Sequence, residues 1–195
     1  MGRWRAFRAT FASRFPTVVL GHQVHGTDVR WHEALPPGWL VLEGVDGHAT
    51  AQAGVLLTVT VADCIPIYLA DLQTGAIALL HAGWRGSAGG ILPRGVEALS
   101  SHAGANPRDI VMHCGVGICG KCYEVGPEVA EQYGRTGTIR LDLRDALHRQ
   151  AGELGIGEVT ISAACSAEDR SHYFSHRASG GKDGRMVAYL GRPRR

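Results

Sequence analysis

VADCIPIYLADLQTGAIALLHAGWRG, residues 61–86, decides how this chain is read. Residues 55–61 and 65–69 are β-branched or apolar almost throughout, and Gln73-Thr74-Gly75 is a turn signal ahead of the apolar run at 76–80. The pattern predicts buried strands. Cys64 stands at the end of one run and His81 at the end of the next, just before a glycine-broken turn. Chemistry is commonly carried on loops that rigid elements hold in place, so a thiol and an imidazole emerging there define a candidate site.

Upstream, residues 17–24 (TVVLGHQV) read as a strand leading to His25-Gly26, and 28–33 place Val29 and Trp31 on one face at period two. Residues 5–11 alternate weakly and are expected to form a further strand. Pro36-Pro37-Gly38 and Val45-Asp46-Gly47 are turns. Downstream, Ile91, Leu92, Val96 and Leu99 fall on one helical face, with Pro93 in the first turn. Residues 109–113 then predict a strand, Gly126-Pro127 opens a helix through Tyr133, 138–143 is extended, 144–154 is an amphipathic helix, and 159–165 is a strand. The last extended segments are 172–176 and 186–190. This order lacks the regular alternation of a doubly wound parallel sheet. The expected fold is α+β, with mixed sheets packed under helices in one domain spanning 1–195.

Of the 195 residues, 45% are hydrophobic and 19% charged, the balance of a globular domain with a sizeable core. The formal charge of +2 is concentrated in Arg3, Arg5 and Arg8 at one end and Arg192, Arg194 and Arg195 at the other, read as solvated tails. No internal basic run interleaved with aromatics points to nucleic acid, and no apolar stretch reaches membrane length. Five cysteines, an odd number, and an N-terminal stretch without a long apolar segment argue for a reduced, cytoplasmic protein.

His25, Cys64 and His81 each follow or end an extended run. Brought together, two imidazoles and a thiolate make a three-ligand zinc site with one position left open, although short zinc spacings are absent among them. The same residues allow a cysteine hydrolase, with Cys64 as nucleophile, His81 as base and Asp46 orienting the imidazole. The spacing does not separate these readings from a core thiol and two loop histidines. Cys119 and Cys122 form a C-x2-C with Cys114 upstream; metal or redox chemistry there needs a second ligand pair, and packed thiols are expected. Gly115, Gly117 and Gly120 with Asp142 imitate a dinucleotide fingerprint, but the helix opened by Pro127 begins too late to hold a pyrophosphate. Arg85 offers a planar fork for phosphate or carboxylate, or a surface ion pair, and Arg177 shares that ambiguity.

HQVHG at 22–26, VDG at 45–47, ADCIPI at 62–67, HAGWRG at 81–86, CYEVG at 122–126, LDL at 141–143 and YFSHR at 173–177 together resemble the laccase-domain family. The family is also called polyphenol oxidase-like, or multifunctional purine nucleoside phosphorylases. The resemblance, running from about Phe11 to Leu190, implies a four-layer α/β/β/α arrangement and a zinc site at His25, Cys64 and His81. It also implies phosphorolysis of adenosine, inosine, guanosine or methylthioadenosine, or adenosine deamination, on a small-molecule substrate with phosphate. Older family names invoke copper-dependent phenol oxidation, which one histidine-histidine-cysteine set suits poorly as a multicopper site, and a role in peptidoglycan editing. On this reading Arg85 or Arg14 neutralises phosphate, while Gln23 and Asp46 hydrogen-bond substrate or metal-bound water. A zinc-stabilised binding module is the non-enzymatic alternative. The chain departs from the family in a shortened region before QVHG and in HCGVGICG at 113–120, both expected to reshape the pocket.

Overall fold

The computed structural model describes residues 2–194. In chain order, α1 (Gly2–Phe11) precedes β1 (Thr17–His22), β2 (Val29–His32), β3 (Gly38–Glu43) and β4 (Gly47–Thr50). Next come β5 (Val55–Val61), β6 (Ile65–Asp71), β7 (Ile77–Ala82), α2 (Trp84–Gly89) and α3 (Ile91–Ala103). They are followed by β8 (Ile110–Cys114), β9 (Glu124–Val125), α4 (Pro127–Glu131) and β10 (Ile139–Arg140). The remaining elements are α5 (Leu143–Glu153), β11 (Glu158–Ile161), α6 (His176–Ser179) and β12 (Met186–Gly191).

The strands form two mixed sheets, ordered β12-β5-β1-β3 and β11-β8-β6-β7-β4-β2, beside the short β9/β10 pair. Strand periodicity explains how they stack. Val55, Leu57, Val59 and Val61 of β5 meet Ile77 and Leu79 of β7 in a core between the two sheets. The alternate residues of β7, Ala78, Leu80 and Ala82, turn the other way and pack with Leu92, Val96 and Leu99 of α3 and Leu147 of α5. On the far side, Val18 and Leu56 meet Phe15, with Phe7 and Phe11 of α1 against them. The fold is therefore α+β, and its layers run helix, sheet, sheet, helices. Every residue of β7 is buried, which is why its sequence is an unbroken apolar run with His81 at its end. Full burial of Leu79 or Leu80 contributes about 2 kcal/mol each.

Three expectations are corrected. Residues 5–11 belong to helix α1, because Trp4, Phe7 and Phe11 fall at three- and four-residue spacing and form an aromatic ladder onto Tyr189, 4.9 Å from Phe11. Residues 172–176 form a turn into α6, where the Ser175 hydroxyl caps the helix by accepting the Ala178 N–H. The terminal arginines are not all solvated tails: Arg3, Arg5 and Arg8 lie on α1, and Arg192 donates to the carbonyls of Ala51 and Gly75. Arg195 lies outside the described residues. Among the described residues no helix is long and apolar enough to cross a membrane.

Candidate metal centre

His81 ends β7 on the inter-sheet face, Cys64 sits in the turn between β5 and β6, and His25 lies just beyond β1. The fold brings all three together: one ligand atom from each lies within 4.8 Å of the others. The two imidazole rings meet edge to face, 4.8 Å between centroids. The turns that deliver them are strained, with φ of 61° at His25 and 87° at Asp63, a region that side-chain-bearing residues rarely adopt.

Two buried carboxylates hold these turns. Asp46 accepts the N–H groups of Val24, His25 and Gly26 at 3.0, 3.0 and 2.8 Å, and its Oδ1 also lies 2.8 Å from Nδ1 of His81. That contact makes Nδ1 the donor and leaves Nε2 of His81 as a lone-pair ligand. Asp63 accepts the Ser166 hydroxyl and the Arg177 N–H, both at 2.7 Å, which ties the Cys64 turn to the loop after β11 and to α6. The glycines of HAGWRG are needed for space. A Cβ on Gly83 would sit 3.0 Å from the His25 ring and 3.1 Å from Cys64 Sγ, and one on Gly86 would lie 2.9 Å from the Gly26 carbonyl. Neither glycine has a positive φ, so close approach and not turn geometry requires them.

The electrostatics favour a thiolate. Burial pushes the Cys64 thiol up, but hydrogen bonds and positive charge from His25 and His81 outweigh it and bring it from 9.0 to about 7. Burial pushes His81 down, and Asp46 and Cys64 together lift it to about 9. Both shifts express one thiolate–imidazolium attraction. Burial raises the Asp46 carboxyl, and the hydrogen bonds from His81, Gly26 and Val24 overcome it and lower it. Two imidazole nitrogens and a sulfur converging in this way form a donor set that suits zinc, and a mononuclear copper ion also accepts it.

The triad lines a cavity of about 790 Å³, within the range of small-molecule sites. Its walls include Trp84, Arg85, Tyr123, His176, Arg177 and Arg185. The Arg85 guanidinium stacks 4.4 Å from the Trp84 ring, and that of Arg177 lies 4.9 Å from Tyr123 while donating to the Glu124 carbonyl.

The other sequence-predicted residues divide. Arg85 and Gln23 line the cavity, but the Gln23 amide is held by Thr60, donating to its carbonyl at 2.9 Å and accepting its N–H at 2.8 Å. Asp46 is fully buried behind the ligands, so it positions them and does not face a substrate. Arg14 does not line the cavity; it is an exposed residue after α1 whose carbonyl accepts the Arg194 N–H at 3.3 Å. Besides Arg85, the cations that line the cavity are Arg177 and Arg185. Asp142, the acid of the imitated dinucleotide fingerprint, caps α5 by accepting the N–H groups of Arg144 and Asp145. Sequence reasoning missed Asp63 and Ser166; Asp63 could have been singled out as the polar neighbour of Cys64 inside an otherwise apolar run.

The chain is similar to known proteins along most of its length. Residues 3–193 match the family described as multi-copper polyphenol oxidoreductase laccase. A purine nucleoside phosphorylase of Deinococcus radiodurans is 41% identical over 184 residues, covering 89% of this chain and 70% of that protein. Adenosine deaminase RL5, from an unknown prokaryotic organism, is 36% identical over 183 residues, covering 86% and 67% respectively. The crystal structure of YlmD from Geobacillus stearothermophilus matches with a TM-score of 0.90 at 32% identity, over 96% of this chain and 78% of that one. On motif, fold and match along nearly its whole length, the chain belongs to the multi-copper polyphenol oxidoreductase laccase family.

Proposed function

We propose that this chain is a zinc-dependent enzyme that cleaves purine nucleosides by phosphorolysis. The observation that carries the reading is the convergence of His25, Cys64 and His81 in a cavity that also presents Arg85 and Arg177. The names of its relatives supply the substrate class. A bound zinc supplies Lewis acidity, drawing electron density from a substrate oxygen. His25, Cys64 and His81 hold it, and Asp46 keeps the His81 ring turned with Nε2 toward the cavity.

Arg85 and Arg177 concentrate phosphate in the cavity and offset its charge as its oxygen attacks C1′ of the ribose and the N-glycosidic bond breaks. Both guanidinium groups are braced by aromatic rings, so little side-chain freedom is lost when phosphate arrives. Trp84 supplies an aromatic wall against which a purine can pack. The products are free base and ribose 1-phosphate.

The relative named as an adenosine deaminase supports hydrolytic deamination in the same cavity as a second activity. Cysteine nucleophile chemistry also has an observation behind it, since Cys64, His81 and Asp46 form a nucleophile–base–orienter chain. The test is release of free base from adenosine and inosine by the purified protein, with and without phosphate, beside Cys64→Ala with metal content measured. Phosphate-dependent release that disappears with the metal is expected. Phosphate-independent conversion of adenosine to inosine would make deamination the main activity. Turnover that survives complete chelation and stops on alkylation of Cys64 would replace the metal reading, and copper in place of zinc in the active protein would replace the metal.

A further inference from the structure

Cys119, Cys122, Cys165 and Glu168 meet outside the cavity, and each offers a ligand atom within 4.8 Å of the others. Two belong to the C-x2-C of the loop after β8, and two form a C-x2-E in the loop after β11. The second pair that the C-x2-C lacked in sequence is supplied by the fold. Cys119 Sγ and Cys122 Sγ lie 3.8 and 3.7 Å from Glu168 Oε1. A tetrahedral zinc with sulfur at about 2.3 Å and oxygen at about 2.0–2.2 Å sets its ligand atoms roughly 3.5–3.8 Å apart, and these two distances fall in that range.

The backbone is arranged for thiolates as well. The Cys119 N–H points at Cys165 Sγ from 3.3 Å, and the N–H groups of Ala167 and Glu168 converge on the same sulfur. The Cys122 N–H closes a tight turn on the Cys119 carbonyl at 3.0 Å, bringing both sulfurs of the C-x2-C to one side. A parallel bridge between Gly117 and Cys165 joins the two loops, and the Ser166 N–H donates to the Gly117 carbonyl at 3.0 Å. All five cysteines are free thiols.

From this arrangement we infer a second metal centre, in which Cys119, Cys122, Cys165 and Glu168 bind one zinc ion as a structural clasp. Binding displaces the three thiol protons and leaves no coordination position for substrate. What the clasp fastens follows from its neighbours. Cys122 precedes Tyr123, a cavity wall residue over which Arg177 stacks. Cys165 precedes Ser166, whose hydroxyl holds Asp63 next to Cys64, and Asp63 also holds the Arg177 backbone. The clasp therefore fixes one wall of the cavity and the turn that delivers Cys64. It does so whatever reaction the cavity performs.

Metal counting on the reduced, full chain tests this. Stripped wild-type protein retitrated with Zn²⁺ is expected to take up two equivalents; Cys64→Ala should keep one, and Cys122→Ser/Cys165→Ser should keep one. Cobalt provides a readout that needs no substitution, because thiolate-to-cobalt charge transfer at saturation should correspond to four sulfurs, three from the clasp and one from Cys64. Cys64→Ala should retain the three-sulfur part. Uptake of a single equivalent by wild type that is lost in Cys64→Ala, no uptake by Cys64→Ala, or a one-sulfur cobalt spectrum would overturn the clasp. So would a Cys119–Cys122 disulfide that persists in reducing buffer, seen as a mass loss of two hydrogens.

Discussion

The carboxylate of Asp46 accepts three backbone N–H groups and the His81 ring, and Asp46→Asn would turn one acceptor into an NH₂ donor facing other donors. The variant is expected to bind metal about 10–100-fold more weakly, the usual cost of losing a group that orients a ligand. Competition with a chromophoric chelator measures it, and unchanged affinity would mean that Asp46 only builds the loop. Residue identity was partly legible. His25, Cys64 and His81 stood out because each closes an apolar run, so the sequence itself placed them at strand ends. Asp46 stood out as a turn carboxylate, but its role as a buried clamp and not a substrate contact depends on the His25 loop folding over it. Glu168 gave no signal and Cys165 stood out only as part of the family's closing pattern, because their partners lie across two separate loops.

At the scale of elements, β2 and β4 pair in parallel and set His32 against His48, with Nε2 of the first 3.1 Å from Nδ1 of the second. Burial, and then the charge of Arg30, lowers His32 to about 4. Burial, and then the charge of His32, lowers His48 to about 3, with Asp46 pulling the other way. In the unfolded chain both rings titrate near 6.5, so below that pH the unfolded state binds protons that the folded state refuses. Their contribution is fully present above pH 6.5. It falls by about 1.4 kcal/mol per pH unit per ring as the pH drops toward 4. Urea unfolding of wild type and His48→Gln from pH 7 to 5 should show a shallower loss in the variant; equal slopes would mean that the pair does not titrate in this way. The same strands show where sequence reading stops. β5, β6 and β7 announced themselves as apolar runs, whereas β4, GHAT, is buried by its neighbours and not by its own composition, and β3 is a partly exposed edge strand after two prolines. Helix α1 was misread because weak alternation competed with a short aromatic spacing that only packing against Tyr189 decides.

Across the whole molecule, the three proposed metal ligands come from the ends of strands in both sheets: His25 beyond β1, Cys64 where β5 leaves one sheet for β6 of the other, and His81 at the end of β7. A metal held there binds the folded chain and not the unfolded one, so removing it loosens the contact between layers. At free Zn²⁺ one hundred times the dissociation constant, the linkage is worth about 2.7 kcal/mol per site. For a chain of 195 residues that corresponds to a fall of roughly 5–11 °C in Tm for each site emptied by chelation. Differential scanning calorimetry with and without chelator measures it, and a Tm indifferent to chelation would mean that the sheets hold together without the ion. The α+β class was readable from the order of the elements, and the stacking of two sheets between helices was implied by the family resemblance and not by periodicity. The strand order was not, since β12 reaches back to β5 across most of the chain.

That return of β12 has a consequence for biosynthesis. The ribosome finishes His25, Cys64 and His81 long before it makes residues 186–191, and until then β5 keeps an open edge of unpaired backbone N–H and C=O groups. The nascent chain thus carries a complete set of donors on an unfinished sheet, exposed to capture by a neighbouring polypeptide. A metal ion at these three residues would therefore be held securely only late in synthesis, after a strand that contributes none of the three side chains has closed the sheet.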